Sequence, residues 1–308
     1  MTATAVRPAA ADRAAAPRRR RNRGVAPGER RSPVLTVLIW LCAAYFVLPL
    51  VWLLIASTKD NTGLFTTFGF GFAGEFHLWD NLATLFTQRG GIFAVWGWNT
   101  ILYSVVSGVG AAALATAAGY AFAKYEFPGK KFWFAVVLGA IMVPATALAI
   151  PTYLLFSGAG LTNTVWAIIL PSLVSPFGVF LMRVFAEEAI PDSLLEAARI
   201  DGAGEFRIFA QIGVRLLGPG IVTVLLFALV ATWNNYFLPL IMLTDPSLFP
   251  LTVGLAQLQA ASEAGGGASA QFSTVITGSL VSIVPLVVAF LYLQRYWQSG
   301  LSTGSVKE

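Results

Sequence analysis

The chain has 308 residues, of which 56% are apolar and only 11% charged, with a formal net charge of +5 and a mean hydropathy of +0.72. Soluble domains carry about 25% charged residues, so this chain has too few to cover a water-facing surface, and a soluble enzyme is excluded. Disorder is excluded too, because it requires low hydrophobicity and high charge; the composition is that of an integral membrane protein.

In chain order, the first 33 residues are rich in Ala, Pro and Arg, with Asp12 and Glu29 as their only acids. They read as a disordered cytoplasmic tail that anchors the first span by positive charge, with no nucleic-acid role assigned. Six apolar stretches follow, at 35–56, 101–123, 132–156, 165–185, 221–243 and 272–293. Each exceeds twenty residues and at about 1.5 Å per residue covers the roughly 30 Å of hydrocarbon. Runs this long and uniformly apolar satisfy their backbone as helices, not barrel strands, so the expected fold is an all-α bundle of six transmembrane helices. With the N-terminus inside, eighteen of the twenty Lys and Arg fall on the cytoplasmic side, leaving Lys59 and Arg89 outside. Lys and Arg near span ends are retained in the cytoplasm, so both termini are expected there. Cys42, the single cysteine, lies in an apolar run and is expected as a small packed side chain.

The spans carry no ionisable residue at their centres, where one would cost about 2.5–3.5 kcal/mol and mark a proton or ion path. Asn99, Asn234 and Asn235, near span ends, are the deepest polar groups, and His77, the only histidine, lies in the outer loop after the first span. Nothing obvious titrates for a proton-coupled carrier, no metal-ligand cluster is present, and no phosphate-binding G-x-x-x-x-G-K-[ST] loop occurs. Sodium coupling through carbonyls stays open; if the chain moves something uphill, the energy is otherwise expected from another chain. Small residues four apart in the second span, Ser104/Gly108/Ala112 and Ser107/Ala111/Ala115/Gly119, permit close helix approach. Prolines at 144, 151, 171, 176 and 285 are expected to break or kink the third, fourth and sixth spans.

The cytoplasmic loop between the fourth and fifth spans is the anomaly, with six of the fifteen acids between Glu187 and Glu205. Pro191 suits a first helical position with Asp192 in the first turn, Glu196 to Arg199 form helix strongly, and Gly202 suits the stop. A second helical stretch from Glu205 is expected to place Phe206, Phe209, Ala210 and Gly213 on one face. The pattern is a short helix, a glycine bend and a second helix, suited to docking into a groove of a cytoplasmic partner.

Glu196-Ala197-Ala198, Gly202 four residues later and Ile212 ten beyond it resemble the EAA loop of ABC-importer permeases. The stretches Tyr120–Lys130, Gly160–Thr164, Trp233–Leu240 and Gly300–Lys307 are similar to the carbohydrate branch, the relatives of the smaller maltose-permease subunit. The resemblance runs from about Trp40 to the end and implies a type I importer permease fold. It divides the chain into a tail (1–33), a first helix and outer loop (34–94), a permease domain (95–294) with its coupling loop (186–215), and a cytoplasmic C-terminal tail (295–308). One departure stands out: where the family reads Ile-x-Leu-Pro, this chain has Ile212-Gly213-Val214-Arg215, with Pro219 only later. A less kinked approach to the fifth span is therefore expected, with Arg215 snorkelling to the inner interface.

The resemblance implies a permease subunit of an ATP-driven, binding-protein-dependent sugar importer in a bacterial cytoplasmic membrane. It implies a second permease subunit, two ATPase subunits that hold ATP and Mg, and an extracytoplasmic solute-binding protein, with no cofactor and no enzymatic activity in this chain. Glu196, Ala197, Ala198, Asp201, Gly202, Phe206 and Ile212 are the implied ATPase-coupling residues. Glu263, Gly265, Gly266 and Gly267, in an outer loop expected at 257–271, would reach the binding protein, and Asn234 and Asn235 are candidate pore-lining residues. A self-sufficient secondary carrier is the alternative.

Overall fold

A computed structural model describes residues 32–264 and 271–303, with side chains described as far as residue 294. The chain forms two compact units, Met1–Leu48 and Pro49–Glu308. The described part of the first unit is the opening half of α1 (Pro33–Ser57), an apolar helix with no acid in its first turn and no base in its last. Cys42 is exposed there, against the packed position expected for it; on a helix apolar all round, every side chain reads as a packed one from sequence. The expected disordered tail lies, but for its last two residues, outside the described ones.

In the second unit α2 (Asn61–Thr66) and α3 (Leu78–Thr87) precede α4 (Ile92–Lys124). α4 holds no proline, follows a left-handed Gly91 and ends where Tyr125 turns extended, which lets it run unbroken for 33 residues. After α5 (Lys130–Met142) and α6 (Ala149–Gly158) come α7 (Trp166–Ser172) and α8 (Pro176–Ala189). Short helices α9 (Asp192–Ile200), α10 (Glu205–Ile208) and α11 (Val214–Leu216) lead to α12 (Gly218–Trp233), α13 (Phe237–Met242), α14 (Leu251–Ala264) and α15 (Phe272–Thr303). No strand occurs among the described residues.

α4 is the axis of this unit and packs chiefly on α8 and α12. The small residues expected to allow close approach do so: Ser104, Ser107, Gly108, Ala111, Ala112, Ala115 and Gly119 are all buried. A Cβ on Gly119 would stand 2.5 Å from the Met182 Cβ and 2.7 Å from the Arg183 backbone nitrogen, so only glycine allows this crossing. Two cores form at the two ends of α4. One gathers Phe93, Trp96 and Tyr103 with Ile168, Trp233, Phe249 and Leu258. The other gathers Ala112, Ala115 and Tyr120 with Met182, Ile190, Leu195, Ala198, Ile208 and Val224.

Four helices among the described residues are long and apolar enough to cross a membrane: Pro33–Ser57, Ile92–Lys124, Trp166–Ala189 (α7 with α8) and Phe272–Gln294. The pair Glu205–Leu216 and Gly218–Trp233, bent by 77°, adds a fifth if it is one span. The stretch expected as a continuous span at 132–156 is broken at residues 143–148, where Pro144 removes a backbone donor. Short-range bonds, Ala147 N to Pro144 O and Leu148 N to Ala145 O, carry the chain through the break. The approach to the fifth span, expected to be less kinked than in the family, is bent by 77°, with Gly218-Pro219-Gly220 opening α12 on the far side of Leu217. The loop expected at 257–271 is helical as far as Ala264, since α14 continues through it.

Candidate functional site

The segment from Pro191 to Gly213 is the site singled out by sequence. Pro191 sits one residue earlier than expected, as the cap of α9 with φ −64 and an extended ψ. Asp192 in the first turn and Arg199 in the last complement the helix dipole. Gly202, at φ +81, is left-handed. The Gly202 N–H donates to Arg199 O and the Ala203 N–H to Ala198 O, both at 3.0 Å. These two bonds are a Schellman stop. Nothing lies within 4 Å of a Cβ placed on Gly202, so the bend requires glycine for its backbone conformation and not for space.

The seven predicted coupling residues divide by burial. Ala198 is buried in the core against α4 and α8, and Ile212 is half-buried beside it. Glu196, Ala197, Asp201, Gly202 and Phe206 are exposed, Phe206 by 83%, with Ile200 beside them exposed by 87%. The face expected to unite Phe206, Phe209, Ala210 and Gly213 is rotated. Ile208 and Gly213 are buried, Phe209 is half-buried, and Phe206 and Ala210 point outward. The cause is a five-residue π turn, Phe209–Gly213, between α10 and α11, which adds a residue to the turn and shifts the register.

Three of the six acids are spent inside the chain. The Lys124 ammonium at the end of α4, with a nearly buried side chain, lies 2.8 Å from Asp192. The Arg199 guanidinium donates to both carboxylate oxygens of Glu205, at 2.7 and 3.3 Å, and the Tyr125 hydroxyl donates to the same carboxylate at 2.8 Å. Arg183 pairs with Glu187 one turn on and lies over the Phe134 ring. The Arg199 and Tyr125 hydrogen bonds hold the Glu205 carboxyl below its ordinary range, and Lys124 does the same for Asp192. A depressed carboxylate keeps its contribution above its unfolded pKa and loses it only as pH falls through the folded one, so these bridges are intact across the neutral range. Burial, then the Glu205 contact, pushes the Tyr125 hydroxyl up, so it remains a donor. Glu188, Glu196 and Asp201 make no ion pair among the described residues. A cavity of about 290 Å³ lies in the seam between Tyr120, Tyr125, Glu205, Phe206 and Phe209.

Sequence reasoning missed Lys124, Tyr125 and Arg199 as parts of this site. The Arg183–Glu187 pair is legible as i, i+4 spacing, whereas Lys124 and Asp192 are 68 residues apart.

The other predicted residues lie elsewhere. The Asn234 side-chain amide donates to Val230 O in its own helix, and the Asn235 carbonyl accepts from the Thr252 hydroxyl, so both tie off the end of α12. An apolar hollow of about 480 Å³ runs between α12 and α15, lined by Leu226, Phe227, Leu286 and Phe290. Asn99 donates to Ser247 O and Phe249 O and is structural. His77 lies 3.4 Å from both Glu75 and Asp80. Lys59, expected on the outer side of the membrane, is buried with its ammonium on Phe68 O at 2.9 Å. Glu263 is exposed at the end of α14, bonded to Gln259, while Gly265, Gly266 and Gly267 lie outside the described residues. No group of three or more potential metal ligands occurs among the described residues.

The described residues form a helical bundle with helices long and apolar enough to cross a membrane and a short helix, α9, braced on the end of α4. The family described as "Binding-protein-dependent transport system inner membrane component" matches residues 115–298, and the chain belongs to it. It is 34% identical to the arabinooligosaccharides transport system permease protein AraQ of Halalkalibacterium halodurans, over 90% of this chain and 99% of that one. It is 30% identical to the lactose transport system permease protein LacG of Rhizobium radiobacter, over 90% and 98% respectively. Its fold is similar to a chain in the crystal structure of a bacterial ABC transporter involved in the import of the acidic polysaccharide alginate. The TM-score is 0.75 at 23% identity, covering 86% of this chain and 95% of that chain.

Proposed function

We propose that this chain forms half of the translocation pathway of an ATP-driven sugar importer in a bacterial cytoplasmic membrane. Six crossings with both termini cytoplasmic account for the distribution of Lys and Arg; in this reading the broken α5–α6 stretch is the third and the bent pair at Leu217 the fifth. The permease domain spans 95–294, with its coupling segment at 186–215. A second permease completes the pathway, two ATPase subunits that hold ATP and Mg sit below, and an extracytoplasmic binding protein delivers the solute. The names of the arabinooligosaccharide and lactose permeases support a sugar as the solute class.

One observation carries the reading: α9 is stiff, stopped by two backbone bonds, and tied to α4 by Lys124, while Glu196, Ala197, Ile200, Asp201 and Phe206 are left uncovered. Glu188, Glu196 and Asp201 offer charge to a basic groove, giving orientation and register. Phe206 and Ile200 supply apolar contact area at the centre of that surface. Ala198 and Ile212 act from inside, by seating the projection on α4 and α8. When nucleotide draws the ATPase pair together, a rigid projection converts that movement into a rigid-body swing of the helices it joins. Asn234, at the exposed end of α12, is the candidate for the pathway wall, with Asn235 holding the turn behind it. Glu263 and the Gly265-Gly266-Gly267 run form the segment that reaches the binding protein.

Glu196→Lys tests this. It inverts an uncovered charge without touching the core, so sugar uptake by cells is expected to be lost while the subunit stays in the membrane at normal abundance. Uptake at the parental rate would remove the coupling assignment.

A further inference from the structure

Between α2 and α3 the chain presents Phe65, Phe68, Phe70, Phe72, Phe76 and Trp79, all exposed, Phe68 by 76% and Phe72 by 69%. Exposure alternates along this run: Phe68, Phe70 and Phe72 are exposed, while Thr67, Gly69, Gly71 and Ala73 between them are half-buried. The half-buried side has a backing. A Cβ on Gly69 would lie 3.3 Å from the Trp52 indole nitrogen of α1, and one on Gly63 of α2 would lie 3.3 Å from the Ala73 Cβ. Trp52 stands five residues before the end of α1, so at about 1.5 Å per residue the aromatic run folds back roughly 7 Å alongside that helix.

Several polar groups of the segment are met within the chain. Phe68 O accepts both the buried Lys59 ammonium and the Gly71 N–H, each at 2.9 Å. The Thr66 hydroxyl donates to Thr62 O, the Thr67 hydroxyl to Gly63 O, and the Asp60 carboxylate caps α2 at the Gly63 N–H. From residue 61 to 74 there is no charged side chain. A run free of charge suits the membrane interface, where the backbone groups it leaves unpaired still reach water.

We infer that residues 65–74 form an aromatic wedge seated in the outer-leaflet interface of the lipid bilayer, pinned to the end of α1 by Lys59. The occupant is lipid because the run backs on Trp52 of α1, whose chain neighbours Leu50, Val51 and Leu54 are exposed and apolar. Aromatic rings are favoured at that depth. The wedge braces the outer end of α1 against the membrane plane. Its placement on the outer side rests on the topology proposed above.

The test uses the whole transporter with cysteine-free partner subunits, reconstituted in phosphatidylethanolamine–phosphatidylglycerol vesicles. In a Cys42→Ser background, nitroxide labels on Phe70→Cys, Phe72→Cys and Glu75→Cys are probed by collision with oxygen and with a water-soluble nickel chelate. Labels at 70 and 72 are expected to be oxygen-accessible and nickel-protected, and the label at 75 the reverse. Nickel access at 70 and 72 equal to that at 75 would overturn the wedge. Exclusion of both quenchers there would overturn it too, by showing that protein covers the patch. The side is read separately: an impermeant maleimide should label Glu75→Cys in intact cells. Labelling only after permeabilisation would refute the outer-leaflet assignment and the topology, while the collision data would still decide whether lipid is the neighbour.

Discussion

The two ends of α4 use similar side chains for opposite purposes. At its beginning, Trp96, Asn99 and Tyr103 donate to backbone carbonyls of Pro246, Ser247, Phe249 and Leu248, and the Thr100 hydroxyl accepts the Leu251 N–H. These groups bind an irregular strip of the same chain, and the aromatic rings are almost wholly buried, Trp96 at 2% and Tyr103 at 1% exposure. At its end, Lys124 and Tyr125 bind carboxylates instead, and beyond those bridges lie Ile200 and Phe206, each more than four-fifths exposed. One end is closed on itself, and the other is braced and left unfinished. Neutral bonds to backbone suit a fixed joint. Charged side chains beside an uncovered apolar surface suit a joint completed by another chain.

If that contrast is right, damage to the middle of α4 should be the most severe, because both ends depend on it. Gly119→Val drives a side chain into Met182 and the Arg183 backbone and is expected to cost at least about 3 kcal/mol. The amount of folded subunit recovered from membranes should collapse, and normal recovery would show that α4 and α8 can separate. Asn99→Ala comes next. It leaves the buried Phe249 carbonyl without its donor, at about 1–3 kcal/mol, while the exposed Ser247 carbonyl can turn to water. Thermal stability of the purified complex should fall while ATP hydrolysis per transported sugar is unchanged in the surviving fraction; a rise in that ratio would mean the closed end also couples. Gly202→Ala is the smallest, with no neighbour to strike and only a left-handed backbone to strain, about 1 kcal/mol. Here the expected signature is inverted, with stability nearly normal and futile ATP hydrolysis increased.

Residue spacing reveals the second half of this comparison better than the first. The α9 helix, its acidic start and its glycine stop are local, set by neighbours within a few residues, and Pro191 through Gly202 carry them openly. Span lengths are equally local, which is why 101–123 lies wholly within α4. What hides is whatever depends on distant pairing. Nothing near Glu205 signals that Tyr125 will meet it, and nothing near Asn99 signals the strip after Asp245. The bend at Leu217 is hard to read from the sequence because Arg215 stands at the family's proline position, whereas Pro219 between two glycines bends the chain from the other side. The π turn at Phe209–Gly213 escapes for a related reason, since helical spacing assumes a uniform turn and one extra residue splits the expected face, leaving Phe206 and Ala210 outward and Gly213 buried.

The central claim is that the exposed face of α9 lies in the cytoplasm against the ATPase. Ala197→Cys in a Cys42→Ser background puts the only thiol of the chain on that face, and an impermeant maleimide reads its position. The account predicts no labelling in intact cells, strong labelling in inverted vesicles stripped of the ATPase, and protection when the ATPase is restored. Labelling from outside intact cells, or equal labelling with and without the ATPase, would contradict it.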